Sequence, residues 1–165
     1  MHAPQIAAFI LAAALALPAA AAAQTPQLVP PAAAVCEALA VKMRKAVRLP
    51  FVTADIDFTD PISGWRGRAC RIAGSGRGLA YTSLETALAA IQKPFADWRL
   101  DKSRTATSPN GEMKSFKKDD LIAVVSAEWN PPPGACPAGE PVADCTVKSA
   151  RKVWSVTVDL IERAR

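Results

Sequence analysis

The sequence predicts an α+β two-layer sandwich, with a mainly antiparallel sheet of about five to six strands, two helices on one face and two disulfides. Three observations carry this reading. Several segments alternate apolar and polar residues at period two and are joined by short turn-forming connections, as antiparallel neighbours require. Two other segments repeat apolar residues at the helical period. Four cysteines, Cys36, Cys70, Cys136 and Cys145, follow a leader-like N-terminus, and an even number suits paired thiols in an oxidising compartment.

The leader comes first. Ile6 to Leu17 is an uncharged apolar run, followed by Pro18 and the small residues Ala19 to Ala23. This is the layout of a secretory signal peptide over residues 1–23, cleaved after Ala23. Its n-region holds only the terminal amine and His2, so an uncleaved anchor is the competing reading. The apolar part is shorter than the roughly 20 residues a bilayer span needs. Ala-Ala-Ala-Val ahead of Cys36 lacks a lipobox. Cleavage leaves about 142 residues, enough for one core-bearing domain. The expected organisation is a flexible mature N-terminus over 24–33, rich in Pro and Ala, and a single α+β domain over 34–165. No stable membrane anchor is expected after cleavage.

The first helix is predicted from Ala32 to Arg48. Cys36, Leu39, Ala40, Met43 and Val47 form one apolar stripe, which turns Cys36 toward the core. Lys42, Arg44, Lys45 and Arg48 gather toward its C-terminal end, where cations oppose the helix dipole, and Pro50 closes it. That capping role outweighs a dedicated anion site. Val52, Ala54, Ile56 and Phe58 then alternate with Phe51, Thr53, Asp55 and Asp57 as a half-buried strand. Thr59 to Gly64 supplies a turn, and Trp65 to Ala73 returns as the hairpin partner.

Gly74, Gly76 and Gly78 follow, spelling G-x-G-x-G between a strand and a helix. A dinucleotide fingerprint needs its third glycine where Leu79 stands, and a P-loop needs a Gly-Lys-Ser/Thr ending that is absent. The segment therefore reads as a flexible crossing to the second helix. Arg77 and Thr82 could hold a surface anion at that helix's start. Thr82 and Glu85 offer a capping box, Leu84, Ala87, Leu88 and Ile91 a buried face, and Pro94 a stop near Lys93. Three strands follow, at 97–107, 112–117 and 121–129, joined by turns at Ser108-Pro-Asn-Gly111 and Lys117-Lys-Asp-Asp120. In the last strand Trp154, Val156, Val158 and Leu160 point one way, and Ser155, Thr157 and Asp159 the other.

Sequence alone allows three disulfide connectivities. Cys136 with Cys145 is favoured because the intervening Pro-Ala-Gly-Glu-Pro-Val-Ala-Asp can turn back locally, leaving Cys36 with Cys70. In the loop-entropy model these closures contribute about 2.7 and 3.8 kcal/mol respectively.

Absent chemistry narrows the function. The single histidine, His2, lies in the leader, so the mature chain has no imidazole for Ser-His-Asp, Cys-His or His-zinc chemistry. Ser115-Phe-Lys-Lys118 matches S-x-x-K, but the segment reads as a strand, where positions three apart face opposite ways, and no S-D-N or K-T-G follows. Asp55, Asp57 and Asp60 fail the EF-hand spacing and read as a strand's polar face and a turn former. Of the four tryptophans, Trp129 and Trp154 belong to apolar strand faces, while Trp65 and Trp98 could be surface contacts.

The segment Glu128 to Cys145 stands out. A proline-stiffened loop tied by a local disulfide loses little entropy on binding, which makes Trp129, Pro131, Pro132, Pro133 and Glu140 the partner-binding residues to test. Rigidity against proteolysis is its plainer role. A formal charge of +5 describes a soluble basic surface open to anionic partners. The resulting expectation is a small periplasmic or secreted binding or protein-interaction domain, non-catalytic and without a cofactor. It would meet a protein or an anionic envelope component; export disfavours nucleic acid. An inhibitor of a secreted hydrolase, using the loop at 130–145, is the alternative, and a carboxylate-dependent hydrolase ranks below it. The sequence sets no oligomeric state.

Overall fold

The structure is a computed structural model that describes residues 27–77, 81, 83–142 and 144–163. Its elements run β1 (Leu28–Val29), α1 (Ala33–Val47), β2 (Phe51–Thr59), β3 (Arg66–Arg77), α2 (Leu84–Gln92), β4 (Arg99–Ser108), β5 (Gly111–Lys118), β6 (Leu121–Asn130) and β7 (Val153–Arg163). A 3-10 turn at Lys93–Phe95 follows α2, and another at Ser149–Arg151 precedes β7. One seven-stranded sheet is formed in the order β2-β3-β1-β7-β6-β5-β4, with β3 and β7 also paired directly. The α+β class and both expected disulfides, Cys36–Cys70 and Cys136–Cys145, are present.

The strand count is a correction, seven against five to six. The added strand is Leu28–Val29, within the segment expected to be a flexible tail. Two residues carry no periodicity to read, and Pro30 and Pro31 disguise them. Leu28 inserts where β3 and β7 diverge, parallel to Gly67 and antiparallel to Arg163, and is buried. Gly67 makes the slot possible, since a Cβ there would stand 2.1 Å from the Leu28 carbonyl oxygen. Gly67→Val is therefore expected to expel β1 and to cost about 1.5–3 kcal/mol, the burial of one leucine. Chemical denaturation measures the loss, and wild-type stability in the variant would refute the slot.

A second correction concerns the glycine-rich crossing. Gly74 to Arg77 continue β3, with Gly74 opposite Val156 and Arg77 opposite Val153 on β7. The glycines are there for close packing: a Cβ on Gly74 would lie 2.8 Å from the Phe51 ring, and one on Gly76 2.9 Å from Leu49. Gly78 lies outside the described residues. The capping box also shifts by one position. Ser83 is the N-cap of α2, its Oγ accepting from the Thr86 amide at 3.2 Å while Thr86 Oγ1 accepts from the Ser83 amide at 3.2 Å.

Both helices cover one face of the sheet. Cys36, Leu39, Ala40, Met43 and Val47 of α1 and Leu88 and Ile91 of α2 pack on Ile72, Ala123, Val125, Val156, Val158 and Leu160. Trp154, Trp129 and Ala87 extend this core toward one end. Only Phe51 from β2 joins it. The expected apolar side of that strand, Val52, Ala54, Ile56 and Phe58, looks the other way, because Phe51 pairs with Gly74 and so shares its helix-side face.

On the far face Phe58, Ala69, Ile122, Val124 and Ile161 form a second cluster with Leu28. The buried ion pair of Asp60, after β2, with Arg104 on β4 joins segments from the two edges of the sheet. The sheet therefore curls across its helix-free face at this end. Arg104 reaches inward because three residues between Asp101 and Thr105 bulge out of register with β5.

Candidate functional site

The charged groups that converge are on the helix side. Lys42 and Lys45 are one turn apart on α1, and Arg48 follows at its left-handed C-cap with φ 57°. These three positions lie away from the stripe that buries Met43 and Val47. Arg44 is excluded from the group because it bonds Glu37 and donates to the Phe51 carbonyl at 3.0 Å, tying the helix to β2. Facing α1 is the 3-10 turn after α2. Phe95 anchors it, stacked 4.7 Å from the Phe116 ring and edge-on to Trp98 at 5.6 Å. This anchoring fixes Lys93 opposite the α1 cations.

Between them lies an open cleft of about 630 Å³, lined by Ala46, Pro94 and Ala96 together with the charged residues Lys42, Lys45, Arg48, Lys93 and Asp97. Asp97 is committed elsewhere. It accepts from Lys118 Nζ at 2.5 Å, and that bond above all, with a weaker pull from Lys42, holds its carboxyl below the ordinary range. Lys118 is raised in turn by the same hydrogen bond. Among the described residues none of the four cleft cations has an ion pair within 4 Å. With Asp97 tied mainly to Lys118, the cleft keeps an excess of positive charge, which attracts anions.

The proline-rich disulfide loop is folded back on the sheet. Val142 and Val147 pack against Trp129 and Trp154, and Lys152 Nζ sits 3.9 Å above the Trp129 ring. Trp129 is 7% exposed, which corrects its assignment as a partner contact: it is a core residue. Pro131 and Pro132 are half-buried, whereas Pro133 and Glu140 are exposed. Successive turns rigidify the loop, with the Ala135 amide donating to Pro132 O at 3.0 Å and that of Glu140 to Pro137 O at 3.2 Å. Among its described residues the exposed acidic side chains are Glu140 and Asp144. Arg77 is exposed at the end of β3, and Thr82, its expected companion, lies outside the described residues.

The other sequence motifs dissolve into structure. Ser115 is buried on the far face, and Lys118 is exposed and bonded to Asp97, so the S-x-x-K pair does not meet. Asp60 accepts from the Ile62 amide at 3.0 Å and pairs with Arg104, while Asp55 pairs with Arg68. Among the described residues no three His, Cys, Asp or Glu side chains cluster to hold a metal ion. Trp65 and Trp98 are half-buried, Trp65 beneath Arg163 at 5.0 Å and Trp98 on Phe95.

The sequence contained part of the cleft's signal, the spacing of Lys42, Lys45 and Arg48. Lys93, far along the chain, could be added only once α1 and the turn were seen to pack together. The fold and the cleft together define an α+β domain with a basic recess. No protein-family model matches the chain, and neither a curated protein nor a solved structure matches it.

Proposed function

We propose that this chain is a small exported binding domain, stabilised by two disulfides and without catalytic chemistry of its own, which holds an anionic envelope component in the cleft between α1 and the 3-10 turn. The observation that carries the proposal is the convergence of Lys42, Lys45 and Arg48 with Lys93 from a separate element. Compensation of the helix dipole accounts for Lys45 and Arg48, each contributing about 0.3–1 kcal/mol. It accounts for neither Lys42, a turn further back, nor Lys93. A recess suits a discrete polyanionic chain, such as an acidic polysaccharide segment, better than a flat bilayer. Export through residues 1–23 belongs to the proposal, and the two disulfides support it, since such bridges persist in oxidising compartments. Among the described residues no helix is long and apolar enough to cross a membrane.

Titration of the mature protein with a sulfated polysaccharide tests the cleft. Binding should weaken as ionic strength rises. The charge-reversed pair K42E/K93E should bind about tenfold or more weakly, the loss of about 1.4 kcal/mol or more. K102E, an exposed cation on β4, is the control and should bind almost as wild type. Equal losses in both variants, or none in K42E/K93E, would refute the cleft as the site.

A further inference from the structure

The two edges of the sheet are built differently. β4 is defended by its bulge between Asp101 and Thr105 and by the exposed cations Arg99 and Lys102, devices that prevent an edge from recruiting another strand. β2 has none of these. It runs in unbroken register with β3 over nine residues from Phe51 to Thr59, contains no proline or lysine, and pairs on one side only. Val52 to Asp55 are all exposed, Val52 to 66%.

A hollow borders this edge on the α1 side, and another lies over β3 on the far face. On the α1 side about 300 Å³ lies between Pro30, Pro31, Ala33, Thr53 and Asp55. On the far side about 310 Å³ lies between Pro50, Val52, Ala73, Ser75 and Thr157. A strand added to β2 sends successive side chains to alternate faces. The chemistry of the two sides differs. Asp55 and Asp57 stand on the α1 side at the open edge, with Arg68 on β3 bonded to Asp55 at 3.4 Å and directly across the ladder from Asp57, and with Arg66 further along the same face. Val52, Ala54 and Ile56 line the far side.

We infer that β2 is an acceptor edge for an extended segment of a partner protein that alternates basic and apolar residues, docked by strand addition. Basic side chains would meet Asp55 and Asp57, and apolar ones would lie beside Val52, Ala54 and Ile56. A second copy of this chain fits worse. Antiparallel self-pairing centred on Asp55 or Ile56 sets carboxylates opposite carboxylates, and like charges in register repel. This surface lies apart from the basic cleft and takes a ligand of opposite charge, so the two proposals stand or fall separately.

The test uses the mature protein and a capped, fluorescently labelled peptide alternating Val and Lys. Three results are expected: saturable binding, NMR amide shifts centred on β2, and binding weakened about tenfold or more by N-methylation of alternate peptide amides, which removes backbone donors and keeps the charge. D55K/D57K should weaken binding to a similar degree, and K42E/K93E should not. Ala54→Pro should abolish it by obstructing the edge, with D55K/D57K carrying the test if the proline variant fails to fold. Absence of binding, equal binding of the N-methylated peptide, or a dimer in solution whose interface is β2 would each overturn the inference.

Discussion

Exchanging Arg104 for methionine is expected to lower the unfolding free energy by about 3–5 kcal/mol, because it leaves a carboxylate buried without its partner. Asp60 is 1% exposed and Arg104 7%, so water cannot take over the solvation that the guanidinium provides. The double variant D60L/R104M should recover most of the loss, since an apolar pair of similar volume tolerates burial. Urea denaturation of the two single variants and the double closes the cycle. Additive losses would show that the two side chains do not depend on each other.

The pair also sets a pH dependence with a definite sign. Burial pushes the Asp60 carboxyl up, but the Arg104 guanidinium, the Ile62 amide and Ser63 outweigh it and bring the group below its ordinary value. The unfolded chain then takes up the proton first. The stabilisation is complete above the ordinary aspartate value near about 4 and is lost as pH falls through the folded value. On the same bulge Asp101, bonded to Lys117 and Ser103, is held at about 2 and has the same sign. In R104M burial acts on Asp60 without the guanidinium and raises its carboxyl above the ordinary value, so the deficit against wild type should begin to shrink above about pH 4 and go on shrinking as pH falls toward the lowered wild-type value. A deficit constant with pH would assign the loss to packing alone.

Removing the Cys36–Cys70 bridge with paired alanines is expected to cost about 3–4 kcal/mol, from a closure spanning 34 residues. Removing Cys136–Cys145, which spans 9, should cost about 2.7 kcal/mol. Thermal melts of the two variants, each against oxidised and reduced wild type, give the comparison. The longer closure matters more because it pins α1 to β3 across the main core, whereas the shorter one only tightens a surface loop. Equal losses would remove that distinction.

Much of this architecture was legible in local pattern. Both helices and six of the strands follow from periodicities and spacings that a few neighbouring residues contain, and the short loop between Cys136 and Cys145 favoured their pairing over the two other connectivities. Leu28–Val29 was not legible, because a two-residue strand has no period and its existence depends on the gap that Gly67 leaves. The glycines at 74 and 76 resembled a loop until Phe51 and Leu49 were placed against them. Strand β2 alternated correctly yet turned its apolar side to the far face, since alternation fixes that two sides differ and not which one meets the helices.

Residue order alone thus determined the α+β class, the helical stripes, the hairpin turns and the restriction of histidine to position 2, and it favoured the disulfide pairing the structure shows, all consequences of short-range stereochemistry or of composition. Tertiary structure decided what needs distant segments to meet. Lys93 joins Lys42, Lys45 and Arg48 only because Phe95 docks its turn beside α1. Arg104 finds Asp60 only because the sheet curls. Trp129 leaves the set of surface contacts because Lys152, Val142 and Val147 close over it. Charge convergence and burial depend on chain packing in three dimensions, and a one-dimensional pattern records neither.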